Sequence, residues 1–252
     1  MESVISDADS CIVHQFEKMV ELSESEINLL AALERDARKF DSGERLAFAG
    51  EYSDRFYTLR SGWACAIKTM ADGQRQILDI FLPGQILGLR EIGLSHSLTE
   101  FRALTPIEAC PFPKQRLTEI FEKSPRLTDL FFLIMAREQA MLIERIVNIG
   151  RRNAAERLAH FIVEMKVRLN QRACEFHLPM NQSVIGDTLG ISSVHVSRTF
   201  KHLRDLGLID NKNGQIEINN LEGLIDLSGF DRTYLETYPD WTRLTKPSKR
   251  GY

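Results

Sequence analysis

The sequence predicts an α+β chain in three successive parts: a β-roll, one long helix and a C-terminal winged helix-turn-helix. Three observations predict it. Short β-like runs, evenly separated by turn residues, fill the stretch from Lys39 to Pro113. An apolar periodicity of three to four residues then continues for about 25 residues from Pro125. Further on, two short amphipathic segments joined through Gly190 lead into a hairpin with an Asn213-Gly214 turn.

The bulk properties bound the reading. A chain of 252 residues has room for two domains, and its 43% hydrophobic and 27% charged fractions are those of a globular protein. No stretch reaches the roughly 18 apolar residues that span a bilayer. The start, Met1-Glu2-Ser3-Val4-Ile5-Ser6-Asp7, is acidic and lacks the basic-then-apolar profile of a signal peptide. A cytoplasmic protein with no membrane partner is therefore expected. Cys11, Cys65, Cys110 and Cys174 stand singly, which favours reduced thiols over a disulfide frame or zinc site. The net charge of −3 hides an asymmetry: residues 1–150 carry 17 basic against 23 acidic side chains, and residues 151–252 carry 15 against 12. A polyanion would prefer the C-terminal part.

The elements follow in order. Residues 1–22 read as a loose, polar arm. A roll domain is expected over 23–124, opening with a capping box, Ser23 and Glu26, before Ile27, Leu29, Leu30 and Leu33. Its strand runs end at Ser61-Gly62, Asp72-Gly73 and Pro83-Gly84. Ser124 caps and Pro125 starts a long helix over 125–150, with Leu127, Leu130, Phe131, Ile134, Met135, Met141, Leu142, Ile146 and Ile149 on its apolar side. That surface is wider than a small roll covers, which favours a dimer-forming helix over an internal core helix. Gly150 reads as the helix end and Asn153 as the next N-cap. A winged domain is expected over 151–219, its first helix burying Leu158, Phe161, Ile162 and Met165. An extension over 220–252 holds a short helix marked by Leu221, Leu224 and Leu227, then Phe230, Tyr234, Tyr238 and Trp241. Its basic end, from Lys246 to Arg250, suits DNA phosphate or a frayed tail.

The chemistry concentrates in residues 181–207. Asn181 caps a first helix whose inner face is Ile185 and Leu189; Gly186 is small where two helices approach, and Gly190 permits a tight left-handed turn. Ile191 plugs the turn, Ser192 caps the second helix, expected over 193–206, and Val196, Phe200 and Leu203 bury its inner side. The outer side presents Ser193, Val194, Ser197, Arg198 and Lys201, short residues and one leading arginine, as insertion in a major groove requires. Arg198 suits a bidentate bond to guanine, Val194 a thymine methyl, and Ser193 and Ser197 neighbouring base edges. Asn181, Gln182, Ser192, His195 and Lys201 suit phosphate. The expected partner is double-stranded DNA.

These residues resemble the Crp–Fnr family of bacterial transcription regulators. The resemblance runs from about Phe40 to Ile218 and is strongest from Leu178-Pro179-Met180-Asn181 through Val196-Ser197-Arg198 to Gly207-Leu208-Ile209. Gly43-Glu44, Tyr57-Thr58-Leu59-Arg60-Ser61-Gly62 and Leu82-Pro83-Gly84-Gln85-Ile86-Leu87-Gly88 are similar to the family's sensor roll, a cyclic-nucleotide-binding-like domain. The resemblance implies a homodimer joined along the long helix, a two-fold symmetric operator, contact with RNA polymerase, and ligand contacts at Gly84, Gln85, Leu87 and Gly88.

The departures are specific. Members that bind cyclic AMP carry Gly-Glu-Leu and later Arg-Ser-Ala; here the first reads Gly84-Gln85-Ile86, and the arginine position falls at Ser97-Leu98-Thr99, with no cation for a phosphate. Cyclic AMP is not expected. Iron–sulfur members carry a tight N-terminal run of cysteines, whereas only Cys11 stands there, so no cluster is expected. Haem stays open, through His14, His96 or a cysteine. Many relatives read DNA with Glu-x-x-Ser-Arg; the matching run is Val194-His195-Val196-Ser197-Arg198, so the cytosine acceptor is missing. Three functions remain in play: a ligand-responsive regulator, a regulator with a degenerate roll, and a cyclic-nucleotide-binding effector module whose C-terminal domain does not bind DNA. No nucleophile triad, phosphate loop or metal cluster points to an enzyme.

Overall fold

A computed structural model describes residues 10–169 and 173–236. Contacts divide the described residues into two compact units, one holding those through Lys68 and Asp79–Ala136, the other Thr69–Leu78 and those from Arg137 to Glu236. Eight short strands precede the long helix, with residues 69–78 falling in the second unit: β1 (Arg38–Phe40), β2 (Arg45–Ala47), β3 (Arg55–Ser61), β4 (Ala64–Thr69), β5 (Arg75–Phe81), β6 (Ile86–Leu87), β7 (Glu100–Ala103) and β8 (Ile107–Pro113). They form two four-stranded sheets, ordered β1-β8-β3-β6 and β2-β7-β4-β5. β3 and β8 pair antiparallel, Thr58 facing Cys110, with a bulge between Leu59 and Ser61. This is the roll that the evenly spaced turns predict.

The N-terminal segment corrects one expectation. Residues 10–22 are not a loose arm, because α1 (Cys11–Glu17) lies there with Ser10 as its N-cap. Ile12, Val13 and Phe16 are buried with Leu30, Leu33, Phe56, Leu127 and Phe131. The Phe16 and Phe131 rings stand 5.2 Å apart. Burying one such side chain is worth ~1.5–3 kcal/mol, and Met19 and Val20 just beyond the helix are buried in the same core. α2 (Glu24–Ala31) begins at the Ser23–Glu26 capping box that the sequence predicts. Glu26 also bonds far along the chain, accepting from the Ser124 hydroxyl at 3.0 Å and pairing with Arg126 at 3.3 Å. One buried carboxylate thereby joins the start of α2 to the start of α4 (Pro125–Arg151). α3 (Gln115–Lys123), which sequence reasoning did not separate from its surroundings, precedes α4 and buries Leu117 and Ile120.

The second unit contains the C-terminal part of α4, then α5 (Ala154–Arg168), β9 (Glu175–His177), α6 (Gln182–Leu189), α7 (Ser193–Asp205), β10 (Ile209–Lys212), β11 (Gln215–Ile218), α8 (Leu221–Ser228) and α9 (Thr233–Glu236). α4 runs on through Gly150 to Arg151, and Gly150 does not take the left-handed conformation of a helix end. The break comes at Asn153, whose side chain accepts from the amides of Ala155 and Glu156 while Glu156 accepts from the Asn153 amide at 2.9 Å. Leu158, Phe161, Ile162 and Met165 are buried as expected, and α5 packs on α7 and α8. The wing is a three-stranded antiparallel sheet, β10-β11-β9, one strand more than the sequence predicts.

A buried polar network also lies in this unit. Glu164 pairs with Arg168 at 3.2 Å and with Arg145 at 3.5 Å, and it accepts from the Tyr234 hydroxyl at 3.1 Å. His160 is stacked on Tyr234, edge-on to Phe230, and 3.5 Å from Glu144. α8 is the short helix expected at the start of the extension. Tyr238, Trp241 and the basic end lie outside the described residues.

Candidate nucleic-acid interface

Local sequence builds the helix-turn-helix from caps and two glycines. The Asn181 side chain accepts from the Val184 amide at 2.9 Å and starts α6. Gly190 ends it at φ +67°, the left-handed region where a Cβ is costly. Ser192 restarts the chain as α7, its hydroxyl accepting from the His195 amide at 3.3 Å. Gly186 faces the turn so closely that a Cβ there would lie 2.5 Å from the Ile191 carbonyl oxygen. Ile185, Leu189, Val196, Phe200 and Leu203 are all buried, so the angle between α6 and α7 is fixed by packing.

The opposite side of α7 is open. Ser192, Ser193, Val194, His195, Ser197, Arg198 and Lys201 are exposed, as are Asn181 and Gln182 at the start of α6. Val194 keeps 60% of its surface in solvent, unusual for a β-branched apolar residue on a helix. The helix carries Arg198, Lys201 and Arg204 and has no acidic residue before Asp205. Asp187, the one acid of α6, is paired with Arg75 at 2.8 Å, and Gln76 donates to the Thr188 carbonyl at 3.2 Å. The charge offered outward is therefore positive. All nine residues that the sequence nominates for bases and phosphates fall on α6, α7 and their caps.

Two contributors were missed, the start of α5 and His202. A groove beside α7 is lined by Asn153, Ala154 and Ala155 as well as Ser192, Arg198 and His202. The start of α5 thus stands next to the exposed side of α7. The signal was present, since Asn153 was legible as a cap, but its nearness to residue 198 is a tertiary fact.

In the roll, the four nominated ligand residues serve the turn itself. A Cβ on Gly84 would lie 2.6 Å from the Cys11 carbonyl oxygen, and one on Gly88 would touch the Phe56 ring at 3.0 Å. The Gln85 side chain accepts from the Leu82 amide at 2.8 Å, and Leu87 is fully buried. His14 and His96 are both exposed. Cys11 donates to the Arg60 carbonyl at 3.0 Å, Cys65 to that of Arg102 and Cys110 to that of Glu34, while Cys174 is exposed. Burial pushes the Cys110 thiol up to about 12, with Glu34 adding to the effect. Among the described residues no group of three His, Cys, Asp or Glu is placed to hold a metal, and no helix is long and apolar enough to cross a membrane.

Comparison with known proteins gives matches to both units. Residues 156–227 match the family model of the Crp-like helix-turn-helix domain, and residues 37–124 that of the cyclic nucleotide-binding domain. The chain is 30% identical to the anaerobic regulatory protein of Haemophilus influenzae over 226 residues, 88% of each. It is 28% identical to the fumarate and nitrate reduction regulatory protein of Escherichia coli, over 88% of this chain and 90% of that one. Among solved structures, FixK2 from Bradyrhizobium japonicum is 28% identical with a TM-score of 0.70, covering 76% of this chain and 96% of that chain.

Proposed function

The chain belongs to the Crp–Fnr family and is a DNA-binding transcription regulator, and we propose that it acts as a homodimer on a two-fold symmetric operator. The observation that carries the reading is the exposed, acid-free leading surface of α7 on a helix whose inner side is locked by packing. Arg198 reads guanine, Val194 packs on a thymine methyl, and Ser193 and Ser197 contact adjacent base edges. Asn181, Gln182, Ser192, His195 and Lys201 hold phosphates, with the start of α5 alongside.

The dimer is argued from α4. Phe132, Ala136, Gln139, Ile143, Ile146 and Gly150 are exposed at spacings of 4, 3, 4, 3 and 4, the 3.5-residue period of a coiled-coil seam. Phe132, Ile143 and Ile146 are 65%, 54% and 64% exposed, which a lone chain gains nothing by displaying. Two-fold pairing along this seam sets two copies of α7 on half-sites about one helical turn apart. Val194 in place of an acidic reader shifts the operator away from the cytosine step of glutamate-bearing relatives.

Neither an iron–sulfur cluster nor cyclic AMP enters this reading. The thiols sit on separate elements with separate carbonyl partners, which does not fit a four-thiolate cage. The protein works in the cytoplasm, recruits or blocks RNA polymerase through its operator position, and performs no catalysis. Selection of bound duplexes from a random pool, with purified protein and no added ligand, tests the proposal. A symmetric consensus containing guanine at the Arg198 step supports it. Sequence-blind, salt-labile binding refutes it.

A further inference from the structure

Glu91 is the last residue of a short 3-10 turn, Leu89–Glu91, and is 6% exposed. A carboxylate buried to that degree needs donors, and three come from consecutive residues. The Ser97 hydroxyl donates to one oxygen at 2.6 Å; the Leu98 amide at 3.1 Å and the Thr99 hydroxyl at 3.0 Å donate to the other. Hydroxyl, amide and hydroxyl converging in this way form an anion cradle built of neutral groups. The Lys114 ammonium is turned to the main-chain carbonyls of Glu91 and Leu94.

The neighbouring cations are also engaged from within. Arg90 pairs with buried Asp79, and Arg102 bonds Glu100 at 2.7 Å, a carboxylate shared with Arg45 at 3.2 Å. The domain matches a model named for cyclic-nucleotide binding, and the one charge of a cyclic nucleotide is its phosphate. Here the anion-holding chemistry of the roll is taken up by the chain's own acid groups.

We propose that Glu91 is an internal ligand: its carboxylate fills the Ser97–Leu98–Thr99 anion cradle and holds the roll in its liganded arrangement without a bound nucleotide. This inference deepens the proposed function, in which cyclic AMP plays no part, and it rests on that reading. Removing the carboxylate empties a cradle that a small external carboxylate fits, so the loss is chemically rescuable.

The test is thermal denaturation of the full chain, wild type and Glu91→Ala, with sodium formate, sodium chloride at equal ionic strength, or cyclic AMP. The wild type is expected to respond alike to formate and chloride and not at all to cyclic AMP. Glu91→Ala is expected to lose on the order of 5 °C in Tm, and formate, saturably, to restore part of it where chloride does not. An alanine variant as stable as the wild type, or one that formate and chloride affect equally, overturns the inference alone. A wild-type Tm or operator affinity raised by cyclic AMP overturns the underlying reading as well. If Glu91→Ala does not accumulate, Glu91→Gln and Thr99→Val are combined in a double-mutant cycle. Strongly non-additive Tm losses support the cradle, and additive ones overturn it.

Discussion

Replacing Gly186 by alanine tests whether the reading helix is held by close packing. The alanine Cβ would lie 2.5 Å from the Ile191 carbonyl oxygen, where ordinary contact begins at 3.4 Å, so the turn must yield by about 0.9 Å. The obstacle is backbone, and no rotamer change relieves it. Overpacking of this kind costs ~1–3 kcal/mol. Alanine also favours a helix over glycine by about 1 kcal/mol, which masks part of the cost. With both variants made for melting in the monomeric Ile146→Asp background, Gly150→Ala supplies the correction: Gly150 lies within α4 and its Cβ direction meets nothing within 4 Å in its own chain, so there the propensity gain stands alone. The Tm of Gly186→Ala should therefore fall below that of Gly150→Ala. For a domain of under about 100 residues each kcal/mol corresponds to roughly 4–8 °C. Because the displaced turn carries the Ser192 cap and the start of α7, operator affinity should fall with it. Equal melting temperatures for the two variants, with operator affinity intact, would refute the close-packing argument.

Four further outcomes are expected. Arg198→Ala should weaken operator binding by about 1–3 kcal/mol and relax specificity at a single base step, whereas Lys201→Ala should weaken all duplexes alike and lower the salt slope by about one; competition titrations at several salt concentrations separate the two. Ile146→Asp places a charge on the exposed seam of α4 and should convert a dimer to monomer in sedimentation, leaving the monomer folded; an unchanged mass would remove the seam from the interface. Burial holds the His160 imidazole below the usual 6.5, Arg152 and Arg145 acting with it and Glu164 and Glu144 against it. The unfolded chain then takes up the proton first, so this stability is complete above about pH 6.5 and is lost as the pH falls through the folded pKa. Wild-type Tm should drop more steeply than that of His160→Gln between pH 7.5 and 5.5, and a parallel fall would contradict the assignment. Among thiols, Cys174 should be alkylated first, while buried Cys110, its thiol pushed up to about 12, stays unmodified until the protein unfolds.

Sequence alone determined the features whose physics is local. The caps at Ser23, Asn153, Asn181 and Ser192, the left-handed turn at Gly190 and the Asn213-Gly214 hairpin each depend on the hydrogen bonds and allowed dihedrals of a few adjacent residues. The outer surface of α7 was equally legible, because helical period separates its buried residues from its exposed ones. What tertiary structure decided is the set of features whose energy comes from distant partners. α1 lies in a stretch read as a polar arm, although Ile12, Val13 and Phe16 are apolar, and it is ordered by Leu30, Phe56 and Phe131 from elsewhere in the first unit. β9 joins the wing only because β11 offers it an open edge. Gly150 reads as a helix end, yet α4 continues through it to Arg151. Nothing in the sequence singles out Glu91, and only the fold brings it onto Ser97, Leu98 and Thr99. Periodicity and capping cannot report such contacts, because a buried carboxylate is stabilised by donors whose positions are set by how the chain closes on itself.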